Sequence, residues 1–226
     1  MTTASRVVVG DVDEVLTTTR AVRKRLDLQR PVPRELVEEC IDIARQAPIA
    51  ENAEHTRFVV VDDPALRGEM AAVYRRAVEQ FVLEPMRRRS QERAERGEPS
   101  RELPARMKRI MESAYHLMEH LHEVPVLVLA GSDDRAPREP LGAHASGFWG
   151  SVYPTVWSLQ LAFRSRGLGS SLTCIHLHLA DEMADVLALP ESFHQVALLP
   201  VAYTHGLDFK PAPRLPRDEV VHWNGW

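Results

Sequence analysis

Apolar residues recur at two periods along this chain, and the alternation between them sketches its elements. Asp11 to Thr19 predicts a short helix leading into a cationic segment. Pro33, preorganised for a first helical turn, opens the next helix, with Leu36, Val37, Cys40, Ile41, Ala44 and Ala47 at helical spacing and Pro48 as the stop. Phe58 to Val61 predicts a buried strand. Pro64 opens a long helix to about Arg89, with Leu66, Met70, Val73, Ala77 and Phe81 on one face. The stretch 87–106 is charged, broken by Gly97, Pro99 and Pro104, and predicts an exposed excursion. Helical spacing resumes at Met107, Ile110, Met111, Tyr115 and Met118. Val124 to Ala130 predicts a second buried strand, and His144 to Arg166 a third long helix ended by Gly167. Ser171 to Leu177 is strand-like, Asp181 to Leu189 a short helix, and Gln195 to Tyr203 another apolar strand. Long helices with few strands predict an α+β layer of helices around one small mixed sheet, within a single domain over 1–226. The tail from Lys210 is too rich in proline for a core element and too aromatic for a disordered end.

Composition narrows the function classes. The 226 residues are 44% hydrophobic with a formal net charge of −4, and basic residues are scattered, which argues against nucleic acid as a partner. Lysine stands only at 24, 108 and 210, so arginine carries nearly all the positive charge. Two cysteines, Cys40 and Cys174, make no disulfide framework. The opening MTTASRVVVGDVDEVL has no basic start or apolar core of a secretory signal, and no apolar run approaches membrane-spanning length, so a cytoplasmic protein without membrane partners is expected.

Common phosphate and hydrolase motifs are missing: GxxxxGK[ST], GxGxxG after a strand, GxSxG and HExxH. Cys174, His176 and His178 would share one strand face in a set that suits zinc, but neighbours about 7 Å apart close poorly around one ion. His116 and His120, near His122, form a pair read as a half-buried helix face. No metal is expected. Cys40 reads as core packing, and Glu51 with Glu54 reads equally well as an acid–base pair or a solvated loop. Four cations, Arg20, Arg23, Lys24 and Arg25, fall within six residues. Guanidinium forks there can bind a phosphate, and Arg214 can supply a further cation from a distant part of the chain.

These stretches resemble the FMN-dependent nitroreductase family. The matching pieces are Thr19-Arg-Ala-Val-Arg23, Pro31-Val-Pro33, Ala47-Pro-Ile-Ala-Glu-Asn-Ala-Glu54, Gly167-Leu-Gly-Ser170, Val196 to Tyr203, Pro211-Ala-Pro-Arg214 and Glu219 to Trp226. Departures from the family pattern fall at Thr19, Ala21, Ile49, Glu54 and Ala212. The resemblance implies a homodimer with FMN at the subunit interface and a C-terminal arm that crosses to the partner. It implies that Arg20 and Arg214 hold the phosphate, that Ala21 and Val22 accompany them, and that Arg23 lies by the N1/O2 edge of the flavin. It places Pro48, Ile49, Ala50 and Asn52 over a flavin of the other subunit, and the backbone of Thr173, Ile175 and His176 near N5 and O4. The implied activity is ping-pong hydride transfer through flavin N5, from NAD(P)H to a nitroaromatic, quinone or related small-molecule acceptor, with no catalytic side chain required. A specialised relative, such as a deiodinase-like or ene-reducing enzyme, or a non-enzymatic relative with weakened flavin binding, is the alternative.

Overall fold

A computed structural model describes residue 8 and residues 10–99, 104–134, 136, 137, 139 and 141–226. Its helices are α1 (Val12–Thr18), α2 (Arg34–Ala44), α3 (Pro64–Val78), α4 (Glu84–Glu95), α5 (Ala105–His120), α6 (Ala143–Ser165) and α7 (Ala180–Leu187). Its strands are β1 (Thr56–Val61), β2 (Val126–Ser132), β3 (Leu168–Ser170) and β4 (His194–Tyr203), in sheet order β1-β2-β4-β3. Every ladder is antiparallel, and the one parallel pairing among the described residues is an isolated bridge between Ala21 and Ser170.

The apolar runs of β2 and β4 follow from burial on both faces of the sheet. Val126, Val128, Ala130, Ala197, Leu199 and Val201 pack with Leu36, Val37 and Cys40 of α2 and Val152, Val156, Leu159 and Phe163 of α6. Leu127, Leu129, Leu198 and Ala202 pack on the other face with Met70, Val73 and Tyr74 of α3, Leu117 of α5 and Met183 of α7. Helix layers on both faces therefore enclose the sheet. Local signals agree: the Asp63 side chain accepts from Leu66 N at 2.9 Å and Pro64 takes the first helical position of α3.

Two predictions are revised. Helix α3 continues through a π turn at Glu79–Leu83 into α4, so the charged residues from Arg87 to Glu95 are helical and solvated; residues 100–103 lie outside those described. The segment from Ser171 to Leu177 is not a strand. Only Thr173 pairs, with Leu198, and a 3-10 helix covers Ile175–Leu179. Cys174, His176 and His178 therefore share no strand face: His176 is fully buried, His178 is exposed, and Cys174 Sγ donates to Val196 O at 3.5 Å.

Candidate functional site

The stretch Gly167-Leu-Gly-Ser170, which enters β3, seats the arginine segment. Val22 N donates to Ser170 O at 2.9 Å beside the Ala21–Ser170 bridge. Gly169 is required there, because a Cβ would lie 2.5 Å from Thr204 Cγ2 and 3.0 Å from Val22 Cβ. At its far end the segment is tied to β4: Leu26 bridges Thr204, and Asp27 N donates to Tyr203 O at 2.8 Å. Val22 and Leu26 are buried, so the polar residues between them are forced toward solvent.

The four cations of this segment are used differently. Lys24 pairs with Glu112 at 3.5 Å and Arg25 with Asp208 at 2.6 Å. Arg20 and Arg23, both half-buried, have no ion pair or side-chain hydrogen bond among the described residues. Arg23 lies close enough to Tyr74 to act on its hydroxyl electrostatically. Burial pushes the Tyr74 phenol above its usual pKa, opposed by its hydrogen bond to Thr173 and by Arg23. Tyr74 OH and Thr173 Oγ1 are 3.1 Å apart. Arg23 and Thr173 thus both act on Tyr74 of α3, while Ala21 and Val22 hold the start of the segment at the end of β3. Next to Thr173, Ile175 packs half-buried on the α3-side core, and Ser171 Oγ and both ring nitrogens of His176 are buried without a hydrogen-bond partner among the described residues. Burial drives the His176 pKa down to about 4, so its imidazole is neutral at pH 7.

Tyr74 escaped the sequence reading, although its place four residues after Met70 puts a phenol on a core-facing stripe, where it needs a partner. Gln160, whose Nε2 donates to Ser170 Oγ at 3.1 Å within α6's apolar run, also escaped it.

The other predicted residues lie elsewhere on the chain. Pro48, Ile49, Ala50 and Asn52 form a turn in which Glu51 and Asn52 take φ of 56° and 54°, a left-handed pair rare outside glycine. Ala50 N donates to Ser151 Oγ of α6 at 2.9 Å. Ala50 and Glu51 line a cavity of about 480 Å³ with Ser132, His144, Phe148 and Ser151, and no residue of the arginine segment reaches it. Glu54 is engaged by Arg45, which donates from Nε to Oε1 and from Nη2 to Oε2 at 3.1 Å, and this holds its carboxyl below the usual range. Glu54 is thereby an ion-pair partner and not half of an acid–base dyad with Glu51. Arg214 is exposed on the arm, and its Nη1 donates to Pro213 O at 3.4 Å. Cys40 is fully buried, and desolvation pushes its thiol up to about 12, which removes it as a nucleophile.

The pattern of the "Nitroreductase family" matches residues 16–203. An iodotyrosine deiodinase of Thermotoga neapolitana is 27% identical over 206 residues, covering 89% of this chain and 91% of its own. The crystal structure of an oxidized iodotyrosine deiodinase bound to FMN and 3-iodo-L-tyrosine superposes with a TM-score of 0.66 at 24% identity, covering 95% of this chain and 99% of its own. The FMN-dependent nitroreductase NfnB from Mycobacterium smegmatis, solved in complex with NADPH, gives a TM-score of 0.66 at 16% identity, covering 94% and 97%. This chain, with its arginine segment seated on the Gly-Leu-Gly stretch, belongs to the nitroreductase family.

Proposed function

We infer that this protein is an FMN-dependent oxidoreductase that works as a homodimer. The observation that carries the reading is the pair Arg20 and Arg23: half-buried, without ion-pair or hydrogen-bond partners among the described residues, and held on a segment pinned to two strands while their neighbours Lys24 and Arg25 are engaged in ion pairs. Unpaired cations on a fixed backbone suit a dianionic phosphate and an electron-rich ring edge.

Bound FMN would supply the redox chemistry, accepting a hydride from NAD(P)H and returning electrons to a nitroaromatic, quinone or related acceptor. The chain's own part is placement and charge. Arg20, joined by Arg214, neutralises the phosphate. Arg23 favours the negative charge that reduction brings to the ring. Thr173, fixed by Tyr74 and by two backbone bonds to Leu198, holds its stretch of chain at one position. The turn Pro48–Asn52 supplies one wall of a site on a second copy. Exposed Trp149, Tyr153 and Trp157, one turn apart along α6, form the face that meets that copy. Among the described residues no helix is long and apolar enough to cross a membrane.

The test is the visible spectrum of the purified protein after gel filtration. Flavin absorption at near one FMN per chain is expected, and a colourless protein that added FMN cannot reconstitute would defeat the reading. The deiodinase relative supports a second reading, in which the acceptor is a halogenated aromatic and the chemistry is reductive dehalogenation. Iodide release from 3-iodotyrosine by the dithionite-reduced protein, with no NADPH-driven turnover of nitroaromatics or quinones, would favour that reading.

A further inference from the structure

Past Tyr203 the chain leaves the sheet and closes around Arg25. His205 N donates to Arg25 O at 2.9 Å, and Arg25 Nε returns a bond to His205 O at 2.9 Å. Gly206, at a φ of 79°, turns the backbone tightly about the guanidinium, and a Cβ there would lie 2.7 Å from Arg25 Nη2. Arg25 also holds Asp208 at 2.6 Å and sets its Cζ 4.2 Å from the centroid of the Phe209 ring.

A second guanidinium reaches the same ring from the interior. Arg164 of α6 is 4% exposed, with Cζ 4.9 Å from the Phe209 centroid. Its Nη2 donates to Leu207 O at 2.9 Å and to Thr18 Oγ1 at 3.1 Å, while Nε and Nη1 are buried without partners among the described residues. It forms no ion pair among the described residues. Desolvation lowers its pKa, and the nearby Arg25 lowers it further against the pull of Glu14. A buried guanidinium without a carboxylate costs stability, and here the two Nη2 hydrogen bonds and the negative face of Phe209 offset it.

Beyond the ring runs Lys210-Pro-Ala-Pro-Arg214. Two prolines in five residues stiffen the path, so Arg214 is carried roughly 16 Å from the ring at about 3.1 Å per residue. A stiff rod delivers its tip to one place only if its root is fixed. Arg25 belongs to the segment that carries Arg20 and Arg23, so a root clamped on Arg25 is referenced to those same cations.

We propose that Phe209, whose ring is met by both Arg25 and Arg164, is a positioning residue for cofactor binding that fixes the arm's root so that Arg214 meets the phosphate held by Arg20. This rests on the FMN reading above. The test is FMN titration, followed by flavin fluorescence, in a double-mutant cycle with Arg214→Ala. Phe209→Leu keeps apolar bulk and removes the ring face; it is expected to raise the Kd about tenfold in the wild-type background and less than twofold beside Arg214→Ala. Phe209→Trp is expected to restore binding to within about twofold. Should Phe209→Leu fail to fold, Arg25→Lys, which keeps the charge and loses the fork, is expected to give the same non-additive loss. A wild-type chain that binds no FMN defeats the functional reading, and the clamp with it. Wild-type binding that Phe209→Leu leaves unchanged, or weakens equally in both backgrounds, overturns the clamp alone.

Discussion

The imidazole of His176 is the most heavily perturbed side chain beside the site. It is fully buried, its two nitrogens are unpartnered among the described residues, and burial holds its pKa near 4 against an ordinary 6.5. An unfolded chain takes up a proton near pH 6.5, whereas the folded chain resists until about 4. Stability contributed by this group is therefore complete above pH 6.5 and is lost as pH falls toward 4, by on the order of 3 kcal/mol. His176→Leu is expected to match the wild type at pH 7 and to be the more stable of the two at pH 4.5, read from urea unfolding at both pH values. Parallel pH dependence in the two proteins would show that the imidazole is solvated or paired in solution.

At the scale of elements, the seating of the 20–26 segment on β3 depends on Gly169. Gly169→Ala would drive a methyl group into Thr204 and Val22, costing about 1–3 kcal/mol of stability and lifting Ala21 and Val22 away from Ser170. FMN affinity is expected to fall alongside the urea midpoint; a variant with full affinity would show that this seat does not shape the site. The central elements were legible because their burial is regular: β2 and β4 are covered on both faces and read as unbroken apolar runs, and α2 and α3 carry one apolar stripe each. Arg20 and Arg23 were legible as cations, while their lack of partners was not, since the engagement of Lys24 by Glu112 and of Arg25 by Asp208 joins residues 88 and 183 positions apart. The 171–177 segment misled for a local reason. Thr173 does pair with β4, but Cys174 turns to ψ 6° and Leu177 N bonds back to Cys174 O at 3.1 Å, so the alternation of polar and apolar residues falls on a 3-10 turn.

For the whole molecule, the unsolved surface is the face of α6 together with the arm. Trp149, Tyr153 and Trp157 are 36%, 40% and 42% exposed, and Trp223 and Trp226 of the arm are 86% and 104% exposed. Burying such side chains is worth about 1.5–3 kcal/mol each, which makes a second copy of the chain the natural cover. On the proposed homodimer reading, Trp157→Glu is expected to give a folded monomer by sedimentation equilibrium, to release FMN and, with both stabilising partners lost, to melt at a lower temperature. A dimeric, flavin-loaded variant would locate the interface on another face.

The double tethering of the arginine segment has a kinetic meaning. Its amides at Val22 and Asp27 are bonded to β3 and to the end of β4, so their opening is expected to be coupled to that of the sheet edge. Their hydrogen exchange should be among the slowest in the protein, in the class of β2 and β4, even without ligand. A ligand then meets a cradle already frozen in shape, and association should cost little ordering entropy on that side. The exposed arm beyond Phe209 stands at the opposite extreme, so any slow, temperature-sensitive phase of cofactor capture should belong to the arm's closing and not to the cradle.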